Sequence, residues 1–290
     1  MTAEAAIHEL TRLDVIARVG MAARGIVYVI IGYLVFDSGR HADEGQTGAF
    51  AALAEVPMGW ILLVLVAAGL FAYAVYRLAT ALFDADRNGT DAMGIINRIG
   101  HAGVALTYFV LSYLAAEIAM GLRHVGQESE DGTSRMLAEQ LLDMPLGPIL
   151  LGLVGIGFLV SLVLNVKNAL LGKHMKHCAA NAPGFVAQAG RFGMFTQAAI
   201  AGMIGWSMLR AAWFESSRQA VGMGGAIEGI RSQALLYNAI AFGLMLFGAF
   251  SLMQARWRIV PKIDVVEEAK DKAGAAKEKI DAVREEAKAG

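Results

Sequence analysis

The sequence predicts an all-α polytopic membrane helix bundle, with six transmembrane helices arranged as three tandem two-helix repeats and pseudo-threefold symmetry about the membrane normal. Three observations carry this. The 290 residues are 56% hydrophobic with a mean hydropathy of +0.50, which is a membrane composition. The 25 Lys+Arg and 26 Asp+Glu collect in short stretches between apolar runs, so the net charge of -1 hides a strong segregation. The runs also repeat one residue pattern in a constant register.

Six apolar runs lie near residues 16–36, 58–80, 99–119, 148–169, 192–209 and 234–254. At about 1.5 Å per residue each is long enough for a hydrocarbon core of about 30 Å. Backbone groups in lipid must be satisfied within the segment, so these runs read as helices despite their Gly and Val content. The first is the least apolar, because Arg18 and Arg24 lie in its first half. The opening MTAEAAIHEL is acidic and has no basic n-region, so the first helix is expected to be retained rather than cleaved.

Orientation follows from basic residues in the flanks. On one side are 13: Arg12, Arg18, Arg24, Arg77, Arg87, Arg98, Lys167, Lys173, Lys176, Arg191, Arg256, Arg258 and Lys262. On the other are six: Arg40, Arg123, Arg135, Arg210, Arg218 and Arg231. Both termini are expected in the cytoplasm.

The repeat begins with Arg18-Val19-Gly20, Arg98-Ile99-Gly100 and Arg191-Phe192-Gly193. The same offsets carry Tyr33 onto Tyr113 and Trp206, and Gly32 onto Ser112 and Gly205. In the second helix of each unit, Gly69-Leu70 maps onto Gly157-Phe158 and Gly243-Leu244, and Ala81 onto Ala169 and Ala255. Pro57-Met58-Gly59 has a partner in Pro145-Leu146-Gly147, whereas the third unit has Arg231-Ser232-Gln233 there. The units are read as 13–83, 94–172 and 186–258, between an N-terminal segment, 1–12, and a charged tail, 261–290.

This pattern resembles the bacterial membrane family called domain of unknown function 1206, three tandem two-helix units that open on Arg-aliphatic-Gly. The likeness rests on Ala17-Arg18-Val19-Gly20 with Ala23-Arg24-Gly25 and Tyr28, on Asn97-Arg98-Ile99-Gly100 with Tyr108, and on Gly190-Arg191-Phe192-Gly193. It covers roughly residues 12–258. It implies the fold and an inner-membrane location, and no activity. The third unit departs most, with Phe195 at the position of Ala22 and no tyrosine matching Tyr28.

Arg18, Arg24, Arg98 and Arg191 form the candidate site, for an anion or a lipid headgroup. The competing reading of Arg18, Arg98 and Arg191 is that they snorkel to the interface and fix topology. Arg24 lies six residues beyond Arg18, about 9 Å deeper along a helix, where an ionisable side chain marks function by default. Asp14 is placed to pair with Arg18 one turn away, and Tyr28 to offer Arg24 its ring or hydroxyl.

Other chemistry is sparse. A single cysteine, Cys178, excludes an intramolecular disulfide, and His174, His177 and Cys178 in KHMKHC read as a basic loop rather than a metal site. Glu117 aligns with Asp37 and Arg210 and reads as an outer-interface residue, which disfavours proton-coupled transport. His101 lies too far along the same helix to pair with it. Trp60, Trp206, Trp213 and Trp257 read as interfacial anchors. The tail carries an Ala-rich seam from Val266 to Ala287, open to a protein partner.

The expectation is a non-enzymatic multi-pass protein that works through lipid or protein contacts, with an ion or small-solute path along the axis. No cofactor, metal or nucleic acid is expected. The alternative is a membrane-embedded enzyme acting on a phosphate-bearing lipid held by Arg18, Arg98 and Arg191.

Overall fold

Where every backbone group must find a partner inside the chain, apolar runs fold as helices. The computed structural model describes residues 3–37, 44–84, 92–122, 130–172, 175, 178 and 183–257. Nine α-helices fill these ranges: α1 Ala3–Asp37, α2 Gly45–Glu55, α3 Gly59–Phe83, α4 Ala92–Ala119, α5 Glu130–Leu142, α6 Gly147–Leu170, α7 Gly184–Trp213, α8 Met223–Glu228 and α9 Ala234–Trp257. Six of them, α1 from Asp14 onward with α3, α4, α6, α7 and α9, are long and apolar enough to cross a membrane. The tail and the histidines of KHMKHC lie outside the described residues.

The three connections on the side away from the termini are not plain loops. Each holds a short helix, α2, α5 or α8, and these three touch one another, so one piece from each unit meets in a cap. Gln46, Gly48, Ala49, Phe50 and Ala51 of α2 are buried. Sequence reading missed these helices because they are short and mix polar with small residues, without a spanning run. It found the turn that follows two of them. Met58 and Leu146 adopt left-handed backbone, φ 60° and 66°, and a Cβ at Gly59 or Gly147 would run into the carbonyl oxygen of Leu53 or Leu141.

The six spans follow one another as α1, α3, α4, then α6, α7, α9, and α9 packs back on α1. The most extensive seams join different units: α9 with α1, α3 with α4, and α6 with α7. They share a register. A Cβ at Gly32 would lie 2.7 Å from the Ala241 carbonyl oxygen, and one at Gly205 2.9 Å from that of Gly155. At the matching place Ser112 Oγ donates to the Ala67 carbonyl at 2.8 Å. Small residues let backbones meet where lipid supplies no hydrophobic force between helices. The aligned Tyr33, Tyr113 and Trp206 are 58%, 62% and 63% exposed and face outward.

The seams within units depart from threefold symmetry. Between α1 and α3, a Cβ at Gly20 would sit 2.6 Å from Tyr73 Cα, and one at Gly69 would strike Ala23 Cβ. Between α7 and α9, a Cβ at Gly193 would sit 2.6 Å from Phe247 Cα, and one at Gly243 would strike Thr196. The equivalent positions in the middle unit are Gly100, Gly103 and Gly157, and a Cβ on any of them meets nothing within 4 Å. Helices α4 and α6 form no packed interface. The ring expected to close by symmetry therefore has one open seam. Helix α6 accordingly buries the smallest share of its span.

Arg77, counted above among the flanking charges, lies inside α3, six residues before its end. Its removal from that count leaves the charge asymmetry standing.

A direct check uses one repeat position in two contexts. Gly193→Leu should cost about 1–3 kcal/mol by overpacking, whereas Gly100→Leu should change stability by less than about 0.5 kcal/mol. Thermal unfolding of each full-length variant in detergent measures both, and equal losses would contradict the open seam.

Candidate anion site

A helix ends with carbonyl groups that its own turns cannot satisfy. Arg18 and Arg98 serve these groups on neighbouring helices. Arg18 Nη1 donates to the carbonyls of Ala255 and Arg256 at 3.0 and 2.9 Å, closing the end of α9. Its Nε donates to Asp14 Oδ2 at 2.8 Å, the pairing expected one turn away. Arg98 repeats the arrangement on α3, donating from Nε to Ala81 at 2.8 Å and from Nη2 to Leu82 at 3.0 Å. Ala81 and Ala255 are the aligned alanines of the repeat. Arg191 is exposed. The donors of Arg18 and Arg98 thus point into two different seams, onto carbonyls rather than toward one shared anion.

Arg24 has a different setting. From α1 it reaches the bundle axis, where Nη1 donates to Tyr73 Oη of α3 at 2.7 Å. Its guanidinium lies 5.1 Å from the centre of the Tyr73 ring, 5.6 Å from that of Tyr28 and 4.4 Å from that of Phe247 on α9. Aromatic faces attract a cation more strongly once water is removed. Tyr108 of α4 stacks edge-on against Tyr73 at 4.6 Å. Gln46 of the cap donates to Tyr28 Oη at 3.3 Å.

The same Tyr73 oxygen accepts from a second arginine. Arg77 Nε and Nη2 lie 2.9 and 2.7 Å from it, and Arg77 Nη1 is 3.2 Å from His101 Nδ1 of α4. Two guanidinium groups therefore share one phenol oxygen. Among the described residues no carboxylate pairs with Arg24, and its Nε is buried without a hydrogen-bond partner. Arg24, Arg77 and His101 are each only partly buried as whole residues.

The repeat register shows how this site arose. Arg24 aligns with Val104 and Gln197, and Arg77 with Asn165 and Ser251. Five of these six positions are polar. Among the described residues, Arg24 Nε, Gln197 Nε2 and Ser251 Oγ, all at these repeat positions, are buried without a partner. Buried polar atoms in folded proteins nearly always have partners, so the orphaned Nε of Arg24 asks for a ligand.

Sequence reading singled out Arg24 and Tyr28 but missed Tyr73, Arg77 and Phe247. One signal was available: Tyr73 and Arg77 stand one turn apart inside the second apolar run. Phe247 had none, being an ordinary apolar residue of the last span.

A cationic, aromatic-lined centre inside six apolar spans defines a multi-pass membrane protein with a polar site at its core. The chain belongs to the Domain of Unknown Function (DUF1206) family, whose model matches residues 19–84, 99–172 and 192–258. It is similar to "Uncharacterized protein YxxB" of Bacillus subtilis (strain 168), with 27% identity over 248 residues, 82% of this chain and 88% of that one. No solved structure matches.

Removing the shared oxygen with Tyr73→Phe leaves two guanidinium groups short of an acceptor, a loss of about 1–3 kcal/mol. Arg98→Gln, at a partly exposed seam, should cost about 1 kcal/mol. Melting temperatures of the purified variants rank the two, with Tyr73→Phe the lower.

Proposed function

We propose that this protein is a non-enzymatic membrane protein that binds an anionic group, a phosphate or carboxylate, between Arg24 and Arg77. The carrying observation is that two arginines converge on one tyrosine oxygen at the bundle axis, with no carboxylate on Arg24 among the described residues. Two unit charges about 5 Å apart repel by about 3 kcal/mol at an effective dielectric of about 20. A bound anion reverses that sign and takes up the orphaned Arg24 Nε.

The surrounding groups suit holding rather than transforming. Tyr28, Tyr73 and Gln46 are hydrogen-bonding side chains, and Tyr28, Tyr73 and Phe247 supply ring faces that steady Arg24. A through path along the axis is less well supported than a site, because α2, α5 and α8 meet over one end. An excess of positive charge on the side of the termini supports a cytoplasmic placement of both ends in a bacterial inner membrane. A protein partner for the charged tail, residues 261–290, is part of the same proposal.

The test is stabilisation by ligand. Inorganic phosphate at ten times its dissociation constant should stabilise the detergent-purified protein by about 1.4 kcal/mol. Arg24→Gln, which places at this position the residue already present at 197, should abolish the response, and Arg191→Gln should preserve it. A wild-type protein whose melting temperature ignores both phosphate and phosphatidylglycerol would defeat the reading.

A further inference from the structure

We propose that the ligand is an anionic phospholipid, whose phosphate sits between Arg24 and Arg77 and whose acyl chain leaves the bundle through the open α4–α6 seam. This rests on the anion site above and adds what carries the anion and how it enters.

The seam and the site lie at one depth. Gly100 and Gly103 of α4 flank His101, which contacts Arg77 at 3.2 Å, and Val104 is the register equivalent of Arg24. In the other two units this ridge is closed by a second helix: Gly20 and Ala23 meet α3, and Gly193 and Thr196 meet α9. In the middle unit it faces open space. The axis is thus walled by packed helices except along one slot, and that slot gives sideways onto the region that hydrocarbon fills around a spanning bundle.

The lining of the slot suits an acyl chain. Gly100, Gly103 and Gly157 present no side chain, and Val104 is exposed. The two hydroxyls are engaged within their own helices: Thr107 Oγ1 donates to the Gly103 carbonyl at 3.1 Å, and Ser161 Oγ accepts from Asn165 Nδ2 at 3.1 Å. Between these polar groups the seam presents glycine backbone and apolar side chains. A free phosphate has no use for it. A second copy of the chain filling the slot would leave Arg24 without an anion, whereas a phospholipid supplies the charge at the axis and the chain in the slot at once.

The experiment compares two probes on the full-length protein in detergent. Phosphatidylglycerol retained by the protein is counted by native mass spectrometry, and inorganic phosphate is followed by its effect on melting temperature. The double variant Gly103→Leu with Gly157→Leu fills the slot, where there is room for new side chains. It should retain the phosphate response and lose at least tenfold in phosphatidylglycerol occupancy, while Arg24→Gln loses both. Wild-type lipid occupancy in the double variant, with the phosphate response intact, would overturn the slot and leave the anion site standing. No wild-type response to either phosphate or phosphatidylglycerol would overturn the anion site and the slot with it.

A second measurement requires no packing change. Phosphatidylglycerol with a photoreactive group midway along its acyl chain should label wild-type α4 and α6 around residues 100–107 and 157–161, and Arg24→Gln should reduce that labelling tenfold. Labelling spread evenly over all the outer faces, or a dimer that the double variant separates, would place the lipid elsewhere or a second copy in the slot, and the proposal would fall.

Discussion

The contact between the first and last spans holds the rest in place. Helices α1 and α9 approach until a Cβ at Gly25 would lie 2.8 Å from the Gly248 carbonyl oxygen, and one at Gly248 2.6 Å from that of Gly25. In lipid such approach is stabilised by dispersion and close backbone packing, because tails and side chains are equally apolar. Once α1 and α9 are joined, Arg18 reaches the carbonyls at the end of α9 and Phe247 lies over Arg24. The site exists because the two ends of a long chain are brought together.

Around that contact the molecule is a repeated scaffold with a diverged interior. Seam positions are kept across units: in the first two, arginine reaches the carbonyls beside an aligned alanine, and in all three small residues stand where backbones meet. Interior positions have diverged, and the Arg24 layer holds a cation, a valine and an amide in its three copies. Repetition supplies walls at little cost in new sequence, and divergence on the inner face supplies chemistry. The single seam that does not close is part of the same divergence, since three glycines there lack the helix that their counterparts touch.

Much of this was legible in the residues. Hydropathy and length place the spans, and the constant offsets between Arg18, Arg98 and Arg191 expose the repeat, because a pattern held across two helices needs no tertiary information. The depth of Arg24 marks it as unusual for the same reason. What the sequence withholds depends on which helix stands beside which. Arg77 reads as a flanking charge until α3 is seen to continue past it. Phe247 reads as lipid-facing until α9 folds back on α1. Gly100 and Gly193 are identical in pattern and differ only in having a neighbour. The short helices α2, α5 and α8 escape because short segments of mixed polarity leave no spanning period.

The pairing of the first helix with the last also sets an order of events during synthesis. Chains emerge from the N-terminus, so α1 enters the bilayer long before α9 has been made. Through that interval Arg24 must be tolerated without Phe247, and α3 is the earliest arrival that can relieve it, bringing Tyr73 within two spans. The end of α9 stays uncapped until it meets an arginine that has been waiting since the beginning. A ribosome that stalls before the final span would leave a five-helix intermediate with an unclosed ring and a half-shielded cation, a form that quality-control proteases of the membrane are well placed to recognise.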